Sequence, residues 1–303
     1  MHMGPSSQKK SSFKEVNLMI NALLEYILQG VFVGVVYGLV AFPISLLFIT
    51  TDSVDLAVGG YAVIAGSIAM LMPGLAGISI GILAAIAASV IVGIISVKIN
   101  KPNSTDPLTV VLATFGVATF IESAVLTFLG KDPMIRQPFE VFWSLGTIRI
   151  SPQAVINVAI GLALLAMLYC LLYRTSFGRD MRASAVNVVG ASLAGIPVRS
   201  VWFGTYVVGG LLAGIAGILI LYTTGTDYSA GTALTMSGFG AAVLFGLTSP
   251  LRGFAGGIVI GIVQAVALGY MPGGWATAAP LLFIFLVLAS GRVNIAKIAG
   301  GRA

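Results

Sequence analysis

Charge is what this sequence has least of. Asp, Glu, Lys and Arg make up 9% of its 303 residues, against roughly 25% in an average soluble domain. No stretch is polar enough to fold as a separate soluble domain. One cysteine, Cys170, lies in an apolar run, which excludes a disulfide or a cysteine-based metal site within one chain. One histidine, His2, stands in the polar start MHMGPSSQKK, so histidine catalysis and histidine metal ligation have no candidate. A nucleotide loop is also missing. Gly130-Lys131 is followed by Asp132 rather than by a hydroxyl residue, so any ATP has to be held by another chain. Without a nucleophile beside a base or a ligand cluster, no covalent chemistry, metal or cofactor is expected. The net charge of +6 comes from basic residues gathered at the ends of apolar runs. There it sets orientation in a membrane rather than attracting nucleic acid.

What is present is apolar. Hydrophobic residues are 58% of the chain and mean hydropathy is +1.04. Runs of about 17 to 25 such residues can cross a hydrocarbon core about 30 Å thick as helices. The fold class expected is therefore all-α, a polytopic transmembrane bundle of about eight to nine spans. They fall at 24–49, 55–72, 75–97, 107–129, 153–173, 201–222, 234–248, 254–270 and 276–290. A polar, basic tail over 1–20 precedes one membrane domain over 21–291, and a basic tail over 292–303 follows it. No cleavable signal segment is expected, because the first apolar run is too long and others follow directly. The connection 130–151 is longer, and its FWSLGTIRIS reads as a short hairpin or interfacial piece. The span at 234–248 is short enough to be re-entrant.

Glycine is abundant, at 38 residues, and small residues let helix backbones approach closely in lipid. Gly30, Gly34 and Gly38 fall on one face of the first span, with Pro43 a kink further on. Gly210, Gly214 and Gly217, and later Gly257 and Gly261 beside Gly253, form comparable packing faces. Polar residues inside spans are the candidates for a translocation path. Asp55 opens the second span, where it either caps the helix or gates a path. Glu122 lies deep in the fourth span, and an intramembrane carboxylate is costly enough to mark a functional site or a packed interface. Gln264 and, more weakly, Asn157 carry the same two readings.

The one long polar interruption is 174–200, RTSFGRDMRASAVNVVGASLAGIPVRS. Arg174, Arg179, Arg182 and Arg199 stand there with a single acid, Asp180. Ala183, Ala191, Ala194 and Gly195 give a helix with a small-sided face that another protein can approach. If this segment is inside the cell, counting spans puts ten of the sixteen Lys and Arg on the same side, and the N-terminus outside.

The pattern R-T-S-x-x-G-R-x-x-R-A, followed by Asn187, Ala191 and Gly195-Ile196, resembles the cytoplasmic coupling segment of permease subunits of bacterial binding-protein-dependent ABC importers. The resemblance continues through 205–220, 238–270 and the LLFIFLVL run, and is closest to the branched-chain amino acid permease type. Asp55-Leu56-Ala57-Val58-Gly59-Gly60 stands where those permeases carry His and Glu, and is similar instead to the simple-sugar permeases of the same superfamily. The resemblance implies a multi-pass subunit of the bacterial cytoplasmic membrane that works with a second permease, two ATPase subunits and an external solute-binding protein. It implies that Arg174, Gly178, Arg179, Arg182, Ala183, Asn187, Ala191, Gly195 and Ile196 belong to a helix seated on the ATPase. The implied cargo is branched-chain or related amino acids, with urea, short amides and simple sugars behind. A stand-alone secondary transporter is the rival of another class, supported by Glu122 alone.

Overall fold

The chain is described by a computed structural model that covers residues 5–51, 53–99, 107–136, 139, 143–145, 148–245, 247, 249–272 and 275–289. Among these, eleven helices and one hairpin follow in the order α1 (Pro5–Thr51), α2 (Val58–Leu71), α3 (Leu75–Ile99), α4 (Pro107–Leu129), β1 (Trp143–Leu145), β2 (Ile148–Ile150), α5 (Pro152–Arg174), α6 (Ser176–Val186), α7 (Val188–Leu193), α8 (Val198–Leu221), α9 (Ala230–Leu244), α10 (Pro250–Tyr270) and α11 (Trp275–Ala289). Six helices are long and apolar enough to cross a membrane, and α2, α9 and α11 are shorter apolar helices. The protein is a polytopic helical membrane protein. The polar stretch expected as an N-terminal tail is helical from Pro5 and continuous with the first span. His2, Lys101, Pro102 and the C-terminal tail lie outside the described residues.

Helix direction follows from which residues meet. Gly30, Gly34 and Gly38 of α1 lie against Ile262, Ile258 and Phe254 of α10, so the two helices are antiparallel. A Cβ on Gly34 would stand 2.5 Å from the Ile258 Cα. Only glycine permits this backbone-on-backbone approach, and Gly257 and Gly261 supply the other side of the seam. A second seam joins α8 to its neighbours. Gly210 and Gly214 lie on α3 at Ile86 and Ile82, and Gly217 lies on Ala62 of α2. These contacts make α3 antiparallel to α8 and α2 parallel to it. Pro43 sits inside α1, against Gly209 of α8.

One end of the bundle thus carries α6 and α7. The other carries the hairpin, in which Trp143 pairs with Ile150 and Leu145 with Ile148. The connection before that hairpin also lies at this end. Met134 bridges Thr226, and the Arg136 guanidinium donates to the Met70 carbonyl at 3.1 Å, closing over the ends of α2 and α8.

The centre holds two half-length helices. α2 has 14 residues and α9 has 15, about 21 to 23 Å each at 1.5 Å per residue, short of the hydrocarbon thickness. Their first turns meet. Gly231 at the start of α9 lies on the backbone of Gly59 and Gly60 at the start of α2. From that junction α2 runs to the hairpin end. α9 runs the other way, where Ala241 and Ala242 meet Gly256 and Gly253 of α10. The stretch expected at 234–248 begins four residues earlier, and α9 leads from the loop 222–229 toward the end of the bundle where α10 starts.

Candidate functional site

The α6/α7 segment stands beyond the ends of the bilayer-length helices. Thr175 starts α6 as its N-cap, its hydroxyl accepting the Gly178 N–H at 3.1 Å. The segment expected as one helix is two, because Asn187 leaves helical geometry (φ −154°, ψ 108°) and caps α7 with its side chain. The Asn187 Oδ1 accepts the Gly190 N–H at 2.8 Å. α7 then ends at Gly195, whose φ of +83° is open to glycine at little cost, and the Ile196 N–H closes back on the Ala191 carbonyl at 3.0 Å.

The faces of this segment are unequal. Gly178, Met181, Ser184 and Ala185 are buried against the bundle, and Ala191 packs on Val198 and Trp202. Arg174, Arg179, Arg182, Ala183, Asn187 and Gly195 face outward, and Ile196 is half-buried. The Arg182 guanidinium lies 4.8 Å from the centre of the Tyr173 ring, a cation–π contact that fixes its direction. Between these groups stand three bare apolar side chains. Val186, Val189 and Leu193 are 78%, 51% and 84% exposed. Sequence reading missed them, because a small-sided face draws attention to alanine and glycine rather than to the branched side chains between them.

The polar residues in the spans fall into separate places. Asp55 is 1% exposed, in the non-helical stretch between α1 and α2. One carboxylate oxygen accepts the Ala57 N–H at 2.8 Å and the other accepts the Tyr61 hydroxyl at 2.9 Å. The neighbouring orphan donors are also met from outside the helix. Leu56 N–H goes to the Thr114 hydroxyl of α4 at 3.1 Å, and Gly59 N–H to the Thr235 hydroxyl of α9 at 2.9 Å. Tyr206 of α8 lies alongside, its phenol donating to Ser96 at 2.9 Å. Non-helical backbone at membrane depth is tolerated only when every such group is satisfied. Thr114 and Thr235 meet backbone donors there and Tyr61 meets the Asp55 carboxylate, and single hydroxyls inside apolar runs gave no sequence signal for it.

Glu122 engages the other half-helix. Its Oε1 accepts both the backbone N–H (3.3 Å) and the hydroxyl (2.6 Å) of Thr232, in the first turn of α9. Gln264 of α10 accepts the Tyr37 hydroxyl of α1 at 2.5 Å. On α5, the fully buried Asn157 accepts from the Gln153 amide at 2.9 Å and leaves its own NH2 without a partner among the described residues. The structure does not bring Asp55, Glu122 and Gln264 together.

Three kinds of likeness to known proteins add to this geometry. The chain is 28% identical over 285 residues to a probable branched-chain amino acid transport permease, LivH, of Methanocaldococcus jannaschii, covering 86% of this chain and 87% of that protein. It is 27% identical over 286 residues to the high-affinity branched-chain amino acid permease LivH of Escherichia coli, at 88% and 92% coverage. The ribose import permease RbsC of Escherichia coli is 26% identical over 233 residues, covering 75% and 71%. Among solved structures, PsaBC of Streptococcus pneumoniae in complex with Fab matches with a TM-score of 0.51 at 14% identity, over 90% of this chain and 95% of that one. That match speaks to fold alone. Residues 26–289 match the family described as the permease component of the branched-chain amino acid transport system. With most of its length inside that match, and with its multi-pass bundle, the chain belongs to this permease family.

Proposed function

We propose that this chain is the membrane-spanning subunit of an ATP-driven importer of the bacterial cytoplasmic membrane, and that α6 and α7 are its coupling element. A separate ATPase subunit binds and hydrolyses the nucleotide. A second permease, this chain or a relative, completes the path, and an external solute-binding protein delivers branched-chain or related amino acids. One observation carries the reading. The outer face of α6 and α7 presents Val186, Val189 and Leu193 bare beside Arg179 and Arg182, a mixed apolar and cationic surface that a free-standing carrier does not need. Truncating or reversing such anchors costs binding far more than changing the rim around them.

The test is co-purification of the permease with its ATPase subunits in nanodiscs. Wild type retains the ATPase, and Leu193→Asp and Arg179→Glu each lose it while the permease stays folded. If no ATPase associates, and the reconstituted chain moves solute on an ion gradient alone, the importer reading falls to the secondary carrier. A sugar cargo is the second reading, favoured by the similarity to the ribose permease and by the Asp55-Leu56-Ala57-Val58-Gly59 stretch. Uptake of leucine against ribose separates the two. Of the two carboxylates among the candidates for the path, Glu122 keeps one oxygen unengaged among the described residues, while both oxygens of Asp55 are held by internal hydrogen bonds; Gln264 engages its oxygen with Tyr37.

A further inference from the structure

Glu122 lies seven residues before the Leu129 end of α4, about 10 Å inside the bundle. Only its Oε1 is engaged, by Thr232. Its other oxygen has no partner among the described residues, and the side chain is half-exposed on the outer surface of α4. Lipid cannot satisfy a carboxylate at that depth. A second copy of the chain brings no cation from the interior of its own spans. Each of its sixteen Lys and Arg residues lies in a connection, in a terminal segment or in the first or last turn of a bilayer-length span. The surroundings are specific as well. Phe115, Thr119, Glu122 and Leu126 share one row of α4, and all but Glu122 are exposed. Met236, one turn beyond Thr232 on α9, is exposed too. An open carboxylate flanked by bare apolar side chains matches a small molecule that carries an ammonium group and an apolar side chain.

We propose that Glu122 is the residue of the translocation path that receives the cargo's ammonium group, through its unengaged oxygen, while Leu126, one turn further along α4, lies beside the apolar side chain. The inference rests on the amino acid cargo of the preceding section. It differs from a purely structural role, in which Glu122 only caps α9 through Thr232.

The two roles separate by substitution, in proteoliposomes holding the permease, its ATPase and its binding protein, with labelled leucine as the probe. Glu122→Gln keeps an oxygen that accepts from Thr232 but loses the charge, and Thr232→Val removes the shorter, hydroxyl contact, leaves the backbone N–H one and keeps the charge. Recognition of ammonium predicts that Glu122→Gln lowers leucine uptake at limiting leucine about 10- to 100-fold, the range for losing a charged hydrogen bond. It also predicts that Glu122→Asp recovers part of that loss and that Thr232→Val stays close to wild type. Near-normal uptake by Glu122→Gln with impaired uptake by Thr232→Val overturns the proposal and leaves the cap. If Glu122→Gln instead sheds the second permease on purification, the carboxylate pairs with a partner's cation, which also overturns it. Wild-type failure to move leucine, with ribose moved instead, brings down the cargo reading and this inference together. Equal leucine uptake by wild type and Glu122→Gln brings down this inference alone.

Discussion

At the scale of single residues, the burial of Asp55 is the feature with the largest energetic consequence. A carboxylate at 1% exposure with no cation beside it is costly unless its oxygens are hydrogen-bonded. Here both are, to Ala57 N–H and the Tyr61 hydroxyl. Asp55→Ala leaves those two donors buried without acceptors. The expected loss is about 2–6 kcal/mol at roughly 1–3 kcal/mol for each orphaned group, read as a lower unfolding midpoint of the purified permease. Asp55→Asn keeps an acceptor for the Ala57 N–H and should cost less than half as much. If Asp55→Ala melts with the wild type, the carboxylate does not hold the α1–α2 junction. Equal and severe loss in both variants would mean that the charge itself is needed.

At the scale of elements, α7 depends on one side chain. It has six residues, too few to persist on propensity alone, and the chain enters it in extended geometry at Asn187. Capping residues of this type contribute about 1 kcal/mol. Asn187→Ala should therefore speed amide exchange over Val188–Leu193 while leaving exchange in α6 and α8 unchanged. Exchange that stays equally slow throughout would show that packing of Ala191 on Val198 and Trp202, rather than the cap, holds the turn. The same scale shows what could be read in advance. Full-length spans such as α4 and α5 announce themselves by apolar length, and the spacing of Gly30, Gly34 and Gly38 marks one helix face. The partner of that face, α10, is more than two hundred residues further along the chain and leaves no local trace. The break at Asn187 was hidden because small residues continue across it without a change of composition. Of the two short helices, α9 showed its shortness at 234–248, but its start at Ala230 and the start of α2 at Val58 were not legible, because little in the composition marks where the backbone leaves helical geometry before α2 and enters it at α9. What permits that is hydroxyls supplied by other helices, Thr114 and Thr235, and period-based reading sees only one helix at a time.

At the scale of the whole molecule, α6 and α7 stand at one end of the bundle and the β1–β2 hairpin at the other. The basic residues agree with that division. Lys98, Arg174, Arg179, Arg182, Arg199 and Arg252 all fall at the α6/α7 end, which by the positive-inside tendency faces the cytoplasm. Lys131, Arg136 and Arg149 fall at the hairpin end, and Lys9, Lys10 and Lys14 precede the first span on that side, so over the whole sequence the bias is only ten to six and a direct measurement has force. In a chain with Cys170→Ser, a single Thr224→Cys places a thiol in the exposed loop after α8, and Ser200→Cys places one at the exposed start of α8. A membrane-impermeant maleimide added to intact cells should label Thr224→Cys directly, and should label Ser200→Cys only after the membrane is opened. Both positions lie on the same helix or just past it, so a single reversed insertion exchanges the two results. Labelling of Ser200→Cys from outside would put Arg179, Arg182 and the bare Leu193 on the wrong side of the membrane for a cytoplasmic ATPase. The coupling reading would then fail whatever the cargo.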